Sequence, residues 1–180
     1  VAVTPTAADP PASPPAGCPA AIFPFQERGA SVKGYGEKVS DVLFAALVVD
    51  TDLMLVERAE IEKILQEQEL NLSGLVSPDQ ATKVGQMTGA RILITGSIVE
   101  VDQSLYVVAK IIGTETSRVL GESEKGPANA DIAKMVESLA AKIAATIKQK
   151  SDQLIAKPVE RKDRIATIKA MYNWALDNEV

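Results

Sequence analysis

Residues 91–112 constrain the fold more than any other stretch of the chain. They read RILITGSIVEV, then Asp102-Gln103, then SLYVVAKII. Two apolar, β-branched runs of strand length joined by two turn residues form a hairpin. A third run at about 118–124 follows a turn at Thr114–Ser117. Connections this short permit only antiparallel neighbours, so these segments predict a three-strand antiparallel meander. A long helix is predicted next, capped by Asn129. Its residues Ile132, Met135, Val136, Leu139, Ile143 and Ile147 recur at helical spacing and give one apolar stripe.

Ahead of the meander, strands and helices alternate. Residues 20–25 (AAIFPF) predict a short strand whose ladder Pro24 limits. A loop with Gly29, Gly34 and Gly36 leads to a helix from Glu37 to Asp50, with Val39, Val42, Leu43, Ala46 and Leu47 on one face. Residues 53–57 (LMLVE) predict a second strand. Ala59 to about Leu70 predicts a helix with Ile61, Ile64 and Leu65 inward. Its carboxylates Glu60, Glu62, Glu67 and Glu69 read as a solvated face or as an acidic docking surface. Ser77, Pro78 and Gln80 form a capping-box signature for a helix that stops at Gly89, a natural left-handed terminator. The expected fold is a single α/β domain over 20–150: a mixed sheet with an antiparallel three-strand meander, flanked by helices.

Both ends differ in character. Six of the ten prolines lie in residues 1–19, and Asp9 is the only charge there. Such a segment reads as a disordered, polyproline-like tether. Cys18 follows Pro15-Ala16-Gly17, but no apolar signal region precedes it, so it reads as an incidental thiol of that tether. Residues 151–180 read as a helical extension interrupted at Pro158. Within it, 160–177 form an amphipathic arm with Ile165, Ile168, Tyr172, Ala175 and Leu176 on one stripe and Trp174 at its border. Arg161, Lys162, Arg164 and Lys169 lie opposite. Ile165, Ile168, Tyr172, Trp174 and Leu176 are the candidate interface. It would pack on its own domain, dock on a neighbouring subunit, or lay its basic face on anionic lipid.

The residue inventory narrows the chemistry. Histidine is absent and Cys18 is the only cysteine, so a Ser-His-Asp triad, an intramolecular disulfide and a Cys-rich zinc site are ruled out. No metal or cofactor is expected. The net charge of −5 gives no bulk attraction for nucleic acid. No apolar run approaches the roughly 20 residues of a membrane-spanning helix. Glu57 and Arg58 at a strand end read as a capping or ion-pairing group at the junction with the next helix. Ser73-Gly74 reads as a turn that needs a flexible residue. Gly34-Tyr35-Gly36, between a strand and a helix, hints at a phosphate loop, although the full dinucleotide fingerprint and the Gly-Lys-Ser/Thr loop are missing. Paired carboxylates would be the only route to acid chemistry, which makes an enzyme the least favoured class.

The run from 53 to 75, LMLVERAEIEKILQEQELNLSGL, resembles the signature of the curli-secretion (CsgG-like) family. The matching residues are Val56, Glu57, Arg58, Leu65, Glu67, Gln68, Leu70, Leu72, Ser73, Gly74 and Leu75. GARILITGSIVEV is similar to the family's Gly-Ala…Gly-Ser strand at Gly89, Ala90, Gly96 and Ser97, and AIFPFQERG to its first strand and loop. The resemblance spans roughly 20–148. It implies a periplasmic or outer-membrane-associated domain whose relatives include curli channel subunits, lipoprotein activators of penicillin-binding proteins and the amino-terminal domain of the Tol translocation protein. It also implies an envelope protein partner or self-association and no chemistry of the domain's own. The links between elements leave no room for the two membrane hairpins of curli channel subunits, so membrane contact is expected to be at most peripheral. The alternative is a small-ligand or nucleotide site in the Gly29–Gly36 loop.

Overall fold

The computed structural model describes residues 17–50, 52–67, 78–156 and 169–171. In chain order its elements are β1 (Cys18–Ile22), β2 (Gln26–Arg28), α1 (Tyr35–Leu47), β3 (Leu53–Leu55), α2 (Arg58–Glu67), α3 (Pro78–Thr88), β4 (Ile92–Val101), β5 (Ser104–Gly113), β6 (Val119–Pro127), α4 (Ile132–Gln149) and α5 (Ser151–Leu154). A short 3-10 turn at Ala30–Val32 sits in the glycine loop, and 169–171 are helical. Ser77, Leu70, Leu72 and Pro158 lie outside the described residues.

One mixed sheet runs β3-β1-β4-β5-β6. β1 pairs in parallel with β3 and β4, while β4, β5 and β6 form the expected antiparallel meander. Asp102 and Gln103 both take positive φ, 49° and 58°, which makes the hairpin connection a type I′ turn. β6 continues to Pro127, three residues past its expected end.

The single strand expected at 20–25 is two strands laid end to end along β4. Ala20–Ile22 pair with Ile92–Ile94, and Gln26–Arg28 pair with Ser97–Val99. Three residues, Phe23 to Phe25, therefore oppose two, Thr95 and Gly96. This is a one-residue bulge, and Pro24 at its centre gives up no ladder bond because it has no N–H. The bulge reverses the alternation: Ala20 and Ile22 share a core with Phe25, while Ala21 and Phe23 face the other way.

The ladder also starts earlier than expected. Cys18 N donates to Asp52 O at 2.9 Å, and Arg91 N donates to Pro19 O at 2.8 Å. Cys18 and Pro19 thus belong to the sheet and not to the tether. Cys18 is half-buried, and burial pushes its thiol above the ordinary value against the pull of the Arg91 charge. At the other end, Ser151–Leu154 form α5, which is fixed to the domain by Leu154. Leu154 is fully buried, its carbonyl accepts from Thr116 Oγ1 at 2.9 Å, and Ala156 O accepts from Arg91 Nη2 at 2.9 Å.

The two faces of the sheet are covered unequally. α1 and α4 bury the larger core, where Val39, Leu43 and Leu47 of α1 meet Met135, Val136, Leu139 and Ile143 of α4 above Ile92, Ile94, Val107 and Ile111. On the opposite face, Ile61 of α2 and Val84 of α3 close a smaller core with Ala21, Phe23, Leu93 and Ile112. The stripe of α4 is buried as its spacing predicts. Its cap is not Asn129: the carboxylate of Asp131 accepts from Ala133 N at 3.1 Å, so the helix begins two residues later. Asn and Asp cap equally well, and the backbone path decides between them.

Two substitutions test this packing. A Cβ on Gly96 would stand 2.0 Å from Val108 O and 2.5 Å from Phe25 Cε1. Gly96→Ala is expected to cost about 1–3 kcal/mol, seen as a lower urea midpoint at an unchanged slope. Asp131→Ala should cost about 1 kcal/mol, whereas Asn129→Ala should stay within about 0.5 kcal/mol of the parent in the same titration.

Candidate functional site

β1 and β3 are parallel neighbours whose chains leave in opposite directions. From the carboxyl end of β1 the chain passes by way of β2 to α1, which packs on the face of the larger core. From the end of β3 it enters α2, on the other face. A crevice opens where such paths diverge, outside the carboxyl ends of the strands, and ligands of open α/β sheets bind there. Here it has a volume of about 230 Å³ and is lined by Ile22, Pro24, Ser40, Asp41, Phe44, Val56 and Glu57. Its walls are aliphatic and aromatic. Ser40 lies at 5% exposure, and its hydroxyl donates to Gly36 O at 2.9 Å, with Phe23 O a longer 3.4 Å away.

The glycine loop serves a different purpose from the phosphate cradle it hinted at. Because the bulge reverses the alternation, Glu27 of β2 points toward α1, and its Oε1 accepts from Gly36 N at 2.8 Å. Hydrogen bonds from the backbone of Gly36 and Gly34 hold the Glu27 carboxyl below the ordinary carboxylate range. The amino-terminal end of α1 therefore already has its anion, supplied by the protein itself. A Cβ on Gly36 would come within 2.4 Å of Phe25 O, so this glycine permits the close approach of α1 to the bulge. Gly34 takes φ 80° at the start of the helix.

The residues singled out in the sequence fall into separate places. Glu57 is exposed at the crevice, and its carbonyl accepts from Glu60 N and Ile61 N at the start of α2. Arg58 and Glu67 are the first and last residues of α2. Gly89 follows α3 with φ 71°, the left-handed terminator expected. Gly96 lies beneath Phe25 in β4. Gln68, Ser73 and Gly74 lie outside the described residues, as do Ile165, Ile168, Tyr172, Trp174 and Leu176. Among the described residues of the family motif, Val56 and Glu57 line the crevice. Of its other described walls, Ile22 and Pro24 fall in the family-like segment AIFPFQERG, and Ser40, Asp41 and Phe44 come from α1, outside the motifs.

The Glu27 contact has a pH signature. A carboxyl whose folded pKa is depressed stabilises the fold above its unfolded pKa, and that contribution is lost as pH falls through the folded value. Glu27→Gln should therefore lower the thermal midpoint near pH 7. The gap between variant and parent should close on acidification below about pH 4, the ordinary carboxylate range. A gap that stays constant with pH would show that the charge on Glu27 contributes nothing.

Residues 19–107 match the family described as curli production assembly/transport component CsgG. Among solved structures, the LpoB C-terminal domain from Escherichia coli aligns with a TM-score of 0.53 at 14% identity, covering 62% of this chain and 84% of that one. The same domain from Salmonella enterica aligns with a TM-score of 0.51 at 13% identity, covering 64% and 87%. At these identities the two structures show a shared fold. No curated protein sequence matches the chain. The segment 19–107, from β1 into β5, is thus similar in sequence to the CsgG family that its motifs resembled.

Proposed function

We propose that the protein is a non-enzymatic assembly module of the bacterial cell envelope, related to curli-type secretion components, that works by binding an envelope protein or another copy of itself. The family match over 19–107 carries this reading, and the fold shared with the LpoB C-terminal domains supports it. The place of action is the periplasm or the periplasmic side of the outer membrane. Among the described residues no helix is long and apolar enough to cross a membrane. The alternative of a phosphate-bearing ligand in the Gly29–Gly36 loop is disfavoured by Glu27, whose carboxylate accepts the N–H of Gly36 that such a ligand would need. The arm 160–177 is the proposed means of self-association, through Ile165, Ile168, Tyr172, Trp174 and Leu176.

The full gene product, tagged and fractionated from its native cell, is expected with the envelope; recovery in the cytoplasm would overturn the reading. Light scattering on the full chain should give a defined oligomer that falls apart when the chain is ended at Lys157. A monomer in both cases would remove the arm from assembly and leave binding to another protein.

A further inference from the structure

α2 and α3 close the smaller core over Ala21, Phe23, Leu93 and Ile112, at one end of their face of the sheet. Further along β2, β4, β5 and β6 the same face lies open. Arg28, Lys110, Ser123 and Lys125 are exposed there, and Val99, Tyr106 and Val108 are half-buried. Strand pairing fixes their arrangement. Arg28, Val99, Tyr106 and Lys125 form one row across four strands, and Gln26, Ser97, Val108 and Ser123 form the next. Lys110 stands one row further, between Thr95 and Gly121.

The alternation of side chains sorts the charges of these strands between the two faces. Arg28, Lys110 and Lys125 are the charged residues on the open side, whereas Glu27, Glu100, Glu122 and Glu124 alternate to the side of α1 and α4. There Glu122 accepts from Thr146 Oγ1, and Glu124 from Lys142 Nζ. Cations elsewhere have carboxylate partners: Arg91 has Glu115, Lys142 has Glu124 and Lys148 has Asp52. Among the described residues the three cations of the open face have none. Arg28 Nε donates to the neutral Gln26 Oε1 at 3.1 Å, and Lys125 Nζ lies 5.2 Å from the centroid of the Tyr106 ring. A chain of net charge −5 thus keeps one unneutralised basic face.

Apolar and aromatic groups in the middle with charges around them are the anatomy of a protein interface. Strands lie about 4.8 Å apart, so Arg28 and Lys125, at the two ends of one row, bracket a strip about 14 Å wide. One α-helix, about 10–12 Å across, fits that width. α2 and α3 rise above the covered end of this face, which holds a flat surface such as a bilayer off the strip and leaves a shelf beside them. The arm 160–177 does not suit the shelf, because its polar face carries Arg161, Lys162, Arg164 and Lys169, of the same sign. We propose that the open face seats an amphipathic helix of a different protein, with its apolar stripe on Val99, Tyr106 and Val108 and carboxylates along its flanks toward Arg28, Lys110 and Lys125. The proposal rests on the reading of this domain as a protein-binding module and names the chemistry of the partner.

The test is an amide-resolved NMR titration of the full chain with a synthetic helical peptide of about five turns, carrying a leucine stripe flanked by glutamates. Saturable shifts are expected at Val99, Tyr106, Val108 and Lys110. The double variant Arg28→Gln, Lys125→Gln should weaken binding about tenfold at low salt, while Lys134→Gln on α4 leaves it unchanged. These substitutions alter exposed side chains, so the fold is retained. The same peptide with lysine flanks should give no saturable shift. Absence of saturation, shifts that map to another surface, or equal affinity in the double variant overturns the proposal. A scrambled acidic peptide that binds as tightly also overturns it, since charge alone would then account for the contact. So does sedimentation with phosphatidylglycerol vesicles that is lost in the double variant, which would make the face a lipid-binding surface. None of these outcomes depends on cellular location or on the arm, so the proposal fails or succeeds separately from the envelope role.

Discussion

One extra residue between β1 and β2 sets the geometry on which the rest of this structure depends. Side chains of a strand alternate faces, so a single inserted residue turns everything after it over. Without the bulge at Phe23–Phe25, Glu27 would face α2 and α3, and the amino-terminal end of α1 would lack the carboxylate that binds it. Phe25 would also leave the larger core, where it closes over Gly96. The bulge brings α1 close to the sheet at Gly36 and, by bending the chain at Pro24, provides a wall of the crevice.

The unequal covering of the sheet reflects the order of elements. β1 and β4 are central, and both carry apolar residues on each face, as strands buried on both sides do. β6 is an edge strand, exposed on alternate residues and studded with Glu122, Glu124 and Lys125. Charge at an edge discourages pairing with another chain. Lys142 reaches from α4 to Glu124 at 2.6 Å and Lys148 to Asp52 at 2.9 Å. Exposed pairs of this kind add little stability. They lie at the two margins of α4, over β6 and over the turn before β3, while the buried stripe between them holds the helix down.

Local signals made the meander and α4 legible in the sequence: a two-residue turn, a β-branched run, a stripe at helical spacing. The bulge was not legible, because AAIFPF is apolar at every position and shows no alternation whose reversal could be seen. Asn129 and Asp131 have equal capping chemistry, and only the path of the chain beyond Pro127 separates them. The glycines of the loop announced a close approach of backbone to another group. That group is the carbonyl of Phe25 together with the carboxylate of Glu27, nine residues before Gly36, and spacing alone does not distinguish them from a phosphate.

The crevice shows why fold and motif together still under-determine function. The family match identifies a scaffold that different proteins share, and a scaffold does not select a partner. Selection must come from side chains at the strand ends, where the backbone is fixed and the residues are free to differ. Among the described residues those side chains are Ile22, Pro24, Phe44 and Val56, with Asp41, Glu57 and Ser40, whose hydroxyl donates to Gly36 O. At the start of α1 the anion is supplied by Glu27 of the protein itself, so the glycine loop holds the helix in place, and the side chains that differ at the strand ends are left to do the selecting.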